Sequence, residues 1–175
     1  MDSMSLIEYR ARVQRAAAMM NGEPIYNETT DHAQIVIEAL FDTANEDICV
    51  INESVNNLVM GHEDTMGAVE RFLQRPGARL RILVEAEPDD WEERHFVRRF
   101  AERENVEIRV VPDAVKGFYE FHFTVADRKS YRFEPDKRKH AAIAAFGDKS
   151  AEHLASIFER LWPSGRNIEI QRALA

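Results

Sequence analysis

A single cysteine is too few for an internal disulfide or a cysteine-built zinc site, and Cys49 is the only one in 175 residues. It lies in the apolar run "DICVIN", where it reads as a small buried hydrophobe. No apolar run approaches the roughly 20 residues a helix needs to cross a bilayer. The opening "MDSMSLIEYRARVQ" has no hydrophobic segment of the signal-peptide kind, so a cytoplasmic location is the default expectation. Phosphate-cradling and nucleophile-elbow motifs are missing: there is no G-x-G, P-loop lysine or G-x-S-x-G. Basic residues are outnumbered, 23 against 31 acids, for a net charge of −8. Nucleic-acid affinity comes largely from neutralising phosphates, so any such binding is expected to be weak. No repeat, low-complexity tract or linker divides the chain. One structural unit over 31–175 is expected, preceded by a helix and connection over 1–30.

Along the chain the apolar residues set out a regular order. Leu6, Tyr9, Val13, Ala16 and Met20 recur at helical spacing, so residues 3–20 read as a helix, broken by Gly22 and Pro24. A second helix is predicted from about Asp31 to Ala44, with Thr30 or Asp31 as its cap. "DICVIN" reads as a buried strand, 64–74 as a helix and "RLRILVE" as a strand. Residues 90–102 read as a helix and "VEIRVV" as a strand. This alternation favours a mixed, largely parallel sheet flanked by helices, an α/β fold. After Pro112 the pattern changes. "YEFHFTVA" and "SYRFE", separated by "DRK", read as a hairpin. "HAAIAAF" is a further strand, and a last helix runs from about Asp148 to Trp162. In "GHED", Gly61 to Asp64, the metal-capable side chains lack a converging spacing, and Asp64 reads as a helix cap.

The order of these segments over residues 31–163 resembles the phospholipase D-like superfamily, whose members share an HxKxxxxD motif. "AVERFLQRPGARLRILVE" is similar to the helix and strand that precede the family's motif hairpin. "HAAIAAFGDKSAEHLASIFERLW" is similar to the strand, acidic turn and helix that follow it. The resemblance implies a phospholipase D-like half-domain, here with an extra N-terminal helix.

The motif itself departs from the family pattern. Keeping Asp127 at the turn puts Glu120 in the histidine position and His122 in the lysine position, giving E-x-H-x-x-x-x-D. Keeping His122 as the histidine puts Thr124 where the lysine stands and Lys129 where the aspartate stands. The first alignment holds the turn in register. The family's Gly-Ser-x-Asn run is also missing from "SYRFEPDKRKH". In the family the histidine attacks phosphorus and the lysine offsets charge on the phosphoryl oxygens. Glu120 at the nucleophile position would instead bring negative charge toward an anionic substrate.

Two functional expectations follow. The first is a non-catalytic binding or assembly module, a pseudoenzyme within a multi-component bacterial system. The second is a metal-independent phosphodiesterase or nuclease with a rearranged site. In that case His122, Glu120 and Asp127 are the candidate catalytic residues, and Arg132 or Lys139 replaces the lost cation. Thr124, Arg132, Lys139 and His140 are the candidate anion ligands, and no metal or cofactor is expected. Family members with one motif per chain commonly pair, so the resemblance implies a homodimer, with a further protein partner possible.

Overall fold

The computed structural model describes residues 4–87, 90–139 and 141–168. Helix α1 (Leu6–Met19) leads into a short strand β1 (Ile25–Asn27), then α2 (Thr30–Thr43) and β2 (Asp47–Asn52). There follow α3 (Glu63–Leu73), β3 (Arg79–Val84), α4 (His95–Phe100), β4 (Val106–Val110) and the one-turn α5 (Asp113–Lys116). The hairpin strands β5 (His122–Ala126) and β6 (Ser130–Glu134) come next, then β7 (Ala142–Phe146), α6 (Ser150–Leu161) and β8 (Arg166–Asn167).

The strands form one sheet in the order β1-β7-β6-β5-β2-β3-β4-β8. The expected mixed α/β sheet with flanking helices is present, but its parallel part is confined to β2, β3 and β4. All other pairings are antiparallel. Two strands that the sequence does not announce add to the antiparallel part. β1 and β8 are three and two residues long, too short to show an alternation, and each adds antiparallel at an edge.

Side-chain alternation along the strands gives two cores. Ile48, Val50, Leu80, Ile82, Ile108, Ala144 and Phe146 pack with α1 to α4 on one face. Cys49, Ile51, Leu83, Phe123, Val125, Tyr131 and Ala145 pack with Leu154, Phe158 and Trp162 on the other. Cys49 is buried as expected, and burial pushes its thiol pKa well up, with Asp47 adding to it. Helix α1 lies on α2. The Tyr9 ring stacks on His32 with centroids 3.9 Å apart, and Arg10 pairs with Glu38 at 2.8 Å. The turn after α1 approaches β7 closely: a Cβ on Gly147, at φ 79°, would lie 2.2 Å from the Met20 carbonyl oxygen. Glycine is required there.

Caps shift by a residue or two from the expected places. Thr29 caps α2, its hydroxyl accepting from the His32 N–H at 3.1 Å. His62 caps α3, with Nδ1 accepting from the Asp64 N–H at 3.2 Å. Asp64 therefore sits in the first turn, where its charge complements the helix dipole. The helix expected over 90–102 is interrupted. A 3₁₀ turn, Trp91–Glu93, ends at Arg94 in extended conformation, and Asn57 Oδ1 accepts the His95 N–H at 2.9 Å to start α4.

The β5–β6 turn puts Asp127 and Arg128 at φ 52° and 58°, a conformation that favours glycine, asparagine or aspartate and strains an arginine. The Asp127 carboxylate offsets that strain. It accepts the backbone N–H groups of Asn45, Glu46 and Asp47 at 2.7, 2.9 and 2.9 Å, clamping the hairpin to the loop before β2. Charge-assisted bonds of this kind contribute about 1.5–3 kcal/mol to one such group. We expect Asp127→Ala to lose about 2–3 kcal/mol in urea unfolding, with Asp127→Asn intermediate. An unchanged midpoint would show that the clamp contributes nothing.

Candidate functional site

The carboxyl end of β2, the start of β5, the end of β6 and the first turn of α2 meet at one end of the sheet, beside the carboxyl end of β3. Crevices outside the carboxyl ends of parallel strands are where open α/β sheets bind ligands. Here they enclose a cleft of about 210 Å³. Strand register decides which side chains reach it. His122 pairs with Glu134, and Thr124 with Arg132. Both pairs lie on the α2 side of the sheet, because Thr124 also faces Val50 in the neighbouring strand. Asn52 at the end of β2, Glu53 and Asn56 beyond it, Lys137 after β6, and Thr29 and Thr30 at the start of α2 complete the polar lining.

The basic side chains of the cleft are wired to carboxylates. Glu85, immediately after β3, holds His122 Nε2 with one oxygen and Lys137 Nζ with the other, the latter at 2.8 Å. Lys137 Nζ also donates to the Lys116 carbonyl at 3.3 Å and lies 4.7 Å from the centre of the Tyr119 ring. Arg132 donates from Nε to Asn27 Oδ1 at 2.9 Å and from a terminal nitrogen to Glu134 Oε2 at 3.1 Å. Asn27 Nδ2 in turn donates to the Ala142 carbonyl at 3.3 Å. The edge strand β1 thus orients the arginine.

Burial opposes the charge on Glu85, but the hydrogen bonds from His122 and Lys137 outweigh it and hold its carboxyl below the usual range. Burial lowers the Arg132 pKa against the pull of Glu134; a guanidinium stays charged regardless. Burial raises the Tyr119 phenol pKa, and the nearby Glu85 charge adds to that. The outcome is a polar cleft whose formal charges largely cancel, bordered by the positive end of the α2 dipole.

Of the residues singled out in the sequence, His122, Thr124 and Arg132 come together in this cleft. Glu120 precedes β5 and is exposed; its carbonyl accepts the Lys137 N–H at 2.7 Å. Asp127 sits at the far end of β5 in the clamp described above. Lys139 is exposed and does not line the cleft. His140 lies outside the described residues. Sequence reasoning missed Glu85 as the residue holding the cluster together. Its signal was a lone acid ending the apolar run "RLRILVE". Among the described residues, no three His, Cys, Asp or Glu cluster to hold a metal ion.

Residues 29–174 match the family described as "Domain of unknown function (DUF7931)", and the chain belongs to that family. No curated protein matches. Solved structures share the fold. NucT from Helicobacter pylori superposes with a TM-score of 0.62 at 12% identity, covering 83% of this chain and 99% of its own. Nuc from Salmonella typhimurium, a phospholipase D family member, gives 0.57 at 13% identity with the same coverages. TrmBL2, an archaeal chromatin protein with a novel mode of DNA binding, gives 0.59 at 10% identity over 90% of this chain and 60% of that one. The chain therefore has a phospholipase D-like fold. No helix among the described residues is long and apolar enough to cross a membrane.

Proposed function

We propose that this DUF7931 member is a non-catalytic phospholipase D-like module that binds through its cleft, within a multi-component bacterial assembly. The observation that carries this reading is the neutralised cleft. His122 and Lys137 are both held by Glu85, and Arg132 by Glu134. Cations already satisfied by buried carboxylates have little left for an anionic phosphodiester. Even in the alignment that makes His122 the motif histidine, Thr124 in the lysine position supplies a hydroxyl and no charge. A small ligand rich in hydrogen-bonding groups and without net charge suits this lining better. The assembly role is supported by the resemblance alone, since phospholipase D-like domains of this degenerate kind occur in such systems.

A second reading is a rearranged phosphodiesterase, favoured by the convergence of His122, Arg132 and Lys137 on one cleft. With Nε2 occupied by Glu85, Nδ1 would have to attack phosphorus and expel the alkoxide, and water would then hydrolyse the phosphohistidine. One experiment separates the two. A chromogenic phosphodiester and single-stranded DNA are each incubated with the protein in EDTA beside His122→Ala. We expect no turnover above the variant. Turnover that persists through repurification and vanishes in His122→Ala would establish the second reading. In the same samples DNA should bind weakly, because the −8 charge opposes phosphate.

A further inference from the structure

Helix α1 lies outside the family match, which begins at residue 29. Its inner face is covered by Tyr9 and Val13 packing into the core. Its outer face is not covered. Ile7 is 83% exposed and Met19 59%, and an open groove runs along Met4, Glu8, Ala11, Arg12, Arg15 and Met19. Among the described residues neither arginine has an ion-pair partner. Glu8 closes the capping box at Ser5 through Oε2, leaving Oε1 free.

This stripe is its own complement when reversed. Turning the helix end for end about the point between Ala11 and Arg12 exchanges Met4 with Met19 and Glu8 with Arg15. A two-fold contact needs a surface that matches itself in this way. We infer that the outer face of α1 is the seam of a homodimer, in which α1 packs antiparallel against α1 of a second copy.

The geometry is specific. With the axis between Ala11 and Arg12, Glu8 comes level with Arg15 of the second copy, and Met4 with its Met19. Arg12 lies about 4.5 Å along the axis from the other copy's Glu8, at 1.5 Å of rise per residue. The small Ala11 at the crossing allows the close approach typical of packed helices, about 8–10 Å between axes. The seam lies apart from the cleft around His122, unlike the motif-to-motif pairing that the family resemblance implies. The inference is independent of whether the cleft binds or cleaves.

Two measurements test it. In analytical ultracentrifugation at micromolar concentration the wild type should sediment as a dimer. Arg15→Glu alone should weaken association about tenfold or more, and adding Glu8→Arg should restore it. Engineered cysteines give the second measurement, because Cys49 is buried and does not compete. Ala11 and its mate would be separated by about 1.5 Å along the axis, and Ala18 and its mate by about 20 Å. A disulfide spans Cα atoms no more than about 7 Å apart. Ala11→Cys should therefore cross-link under mild oxidation, and Ala18→Cys should not. A wild-type monomer, or equal cross-linking by the two cysteines, would overturn the inference. So would a dimer indifferent to Arg15→Glu.

Discussion

Replacing Arg132 by methionine should cost the fold about 3–5 kcal/mol, because it leaves Glu134 a buried charge without its partner. The two side chains are 11% and 10% exposed. Their ion pair joins residues two apart on one face of β6 and is extended by Asn27 from β1. Methionine fills a similar volume, so the loss reports the unpaired Glu134 charge and the lost bond to Asn27, not a cavity. The size of the penalty is limited by the carboxylate's ability to take up a proton instead. That gives the test its second arm. In Arg132→Met the unfolding free energy should recover as pH falls, while the wild type shows no such recovery. Removing both charges, Arg132→Met with Glu134→Leu, should recover most of the loss apart from the bond to Asn27, since a buried pair often contributes little net stability over an apolar substitute. If Arg132→Met alone unfolds at the wild-type urea midpoint, Glu134 is solvated and the cleft is not the closed polar cluster described above.

The hairpin shows what local sequence could and could not convey. Alternation in "YEFHFTVA" and "SYRFE" predicted both strands, the first starting three residues earlier than β5 does, and with them that His122 and Thr124 share a face. It could not say that Arg132 falls opposite Thr124. That register depends on the three-residue connection Asp127, Arg128 and Lys129, in which Asp127 and Arg128 both take positive φ. Glu85 was harder still. It stands 37 residues from His122, and their contact depends on β3 and β5 both flanking β2. A pairing order of that kind is a property of the assembled sheet. The edge strands β1 and β8 carry no periodic signal for a similar reason: each is held by a neighbour, not by its own pattern.

Removing the charge at Glu85 should have the next largest effect, and its pH dependence has a definite sign. The folded carboxyl is held below its ordinary value of 4.5, because the His122 and Lys137 hydrogen bonds outweigh desolvation. A lowered folded pKa contributes stability that is fully present above the unfolded value and lost as pH falls through the folded one. In Glu85→Gln one acceptor survives, but the amide N–H₂ now faces a donor, either His122 or the Lys137 ammonium. A loss of about 2–4 kcal/mol at neutral pH is expected from breaking one side of a buried charged cluster. Chemical denaturation of both proteins across a pH series checks the argument. The gap between wild type and Glu85→Gln should be constant above pH 4.5 or so and close as the solution becomes more acidic. There the wild-type carboxyl takes up its proton and the two side chains become similar. A gap that widens toward acid would mean that Glu85 binds its proton more readily folded than unfolded. His122 and Lys137 would then not be holding the carboxylate, and the neutralised cleft on which the binding role rests would have to be abandoned.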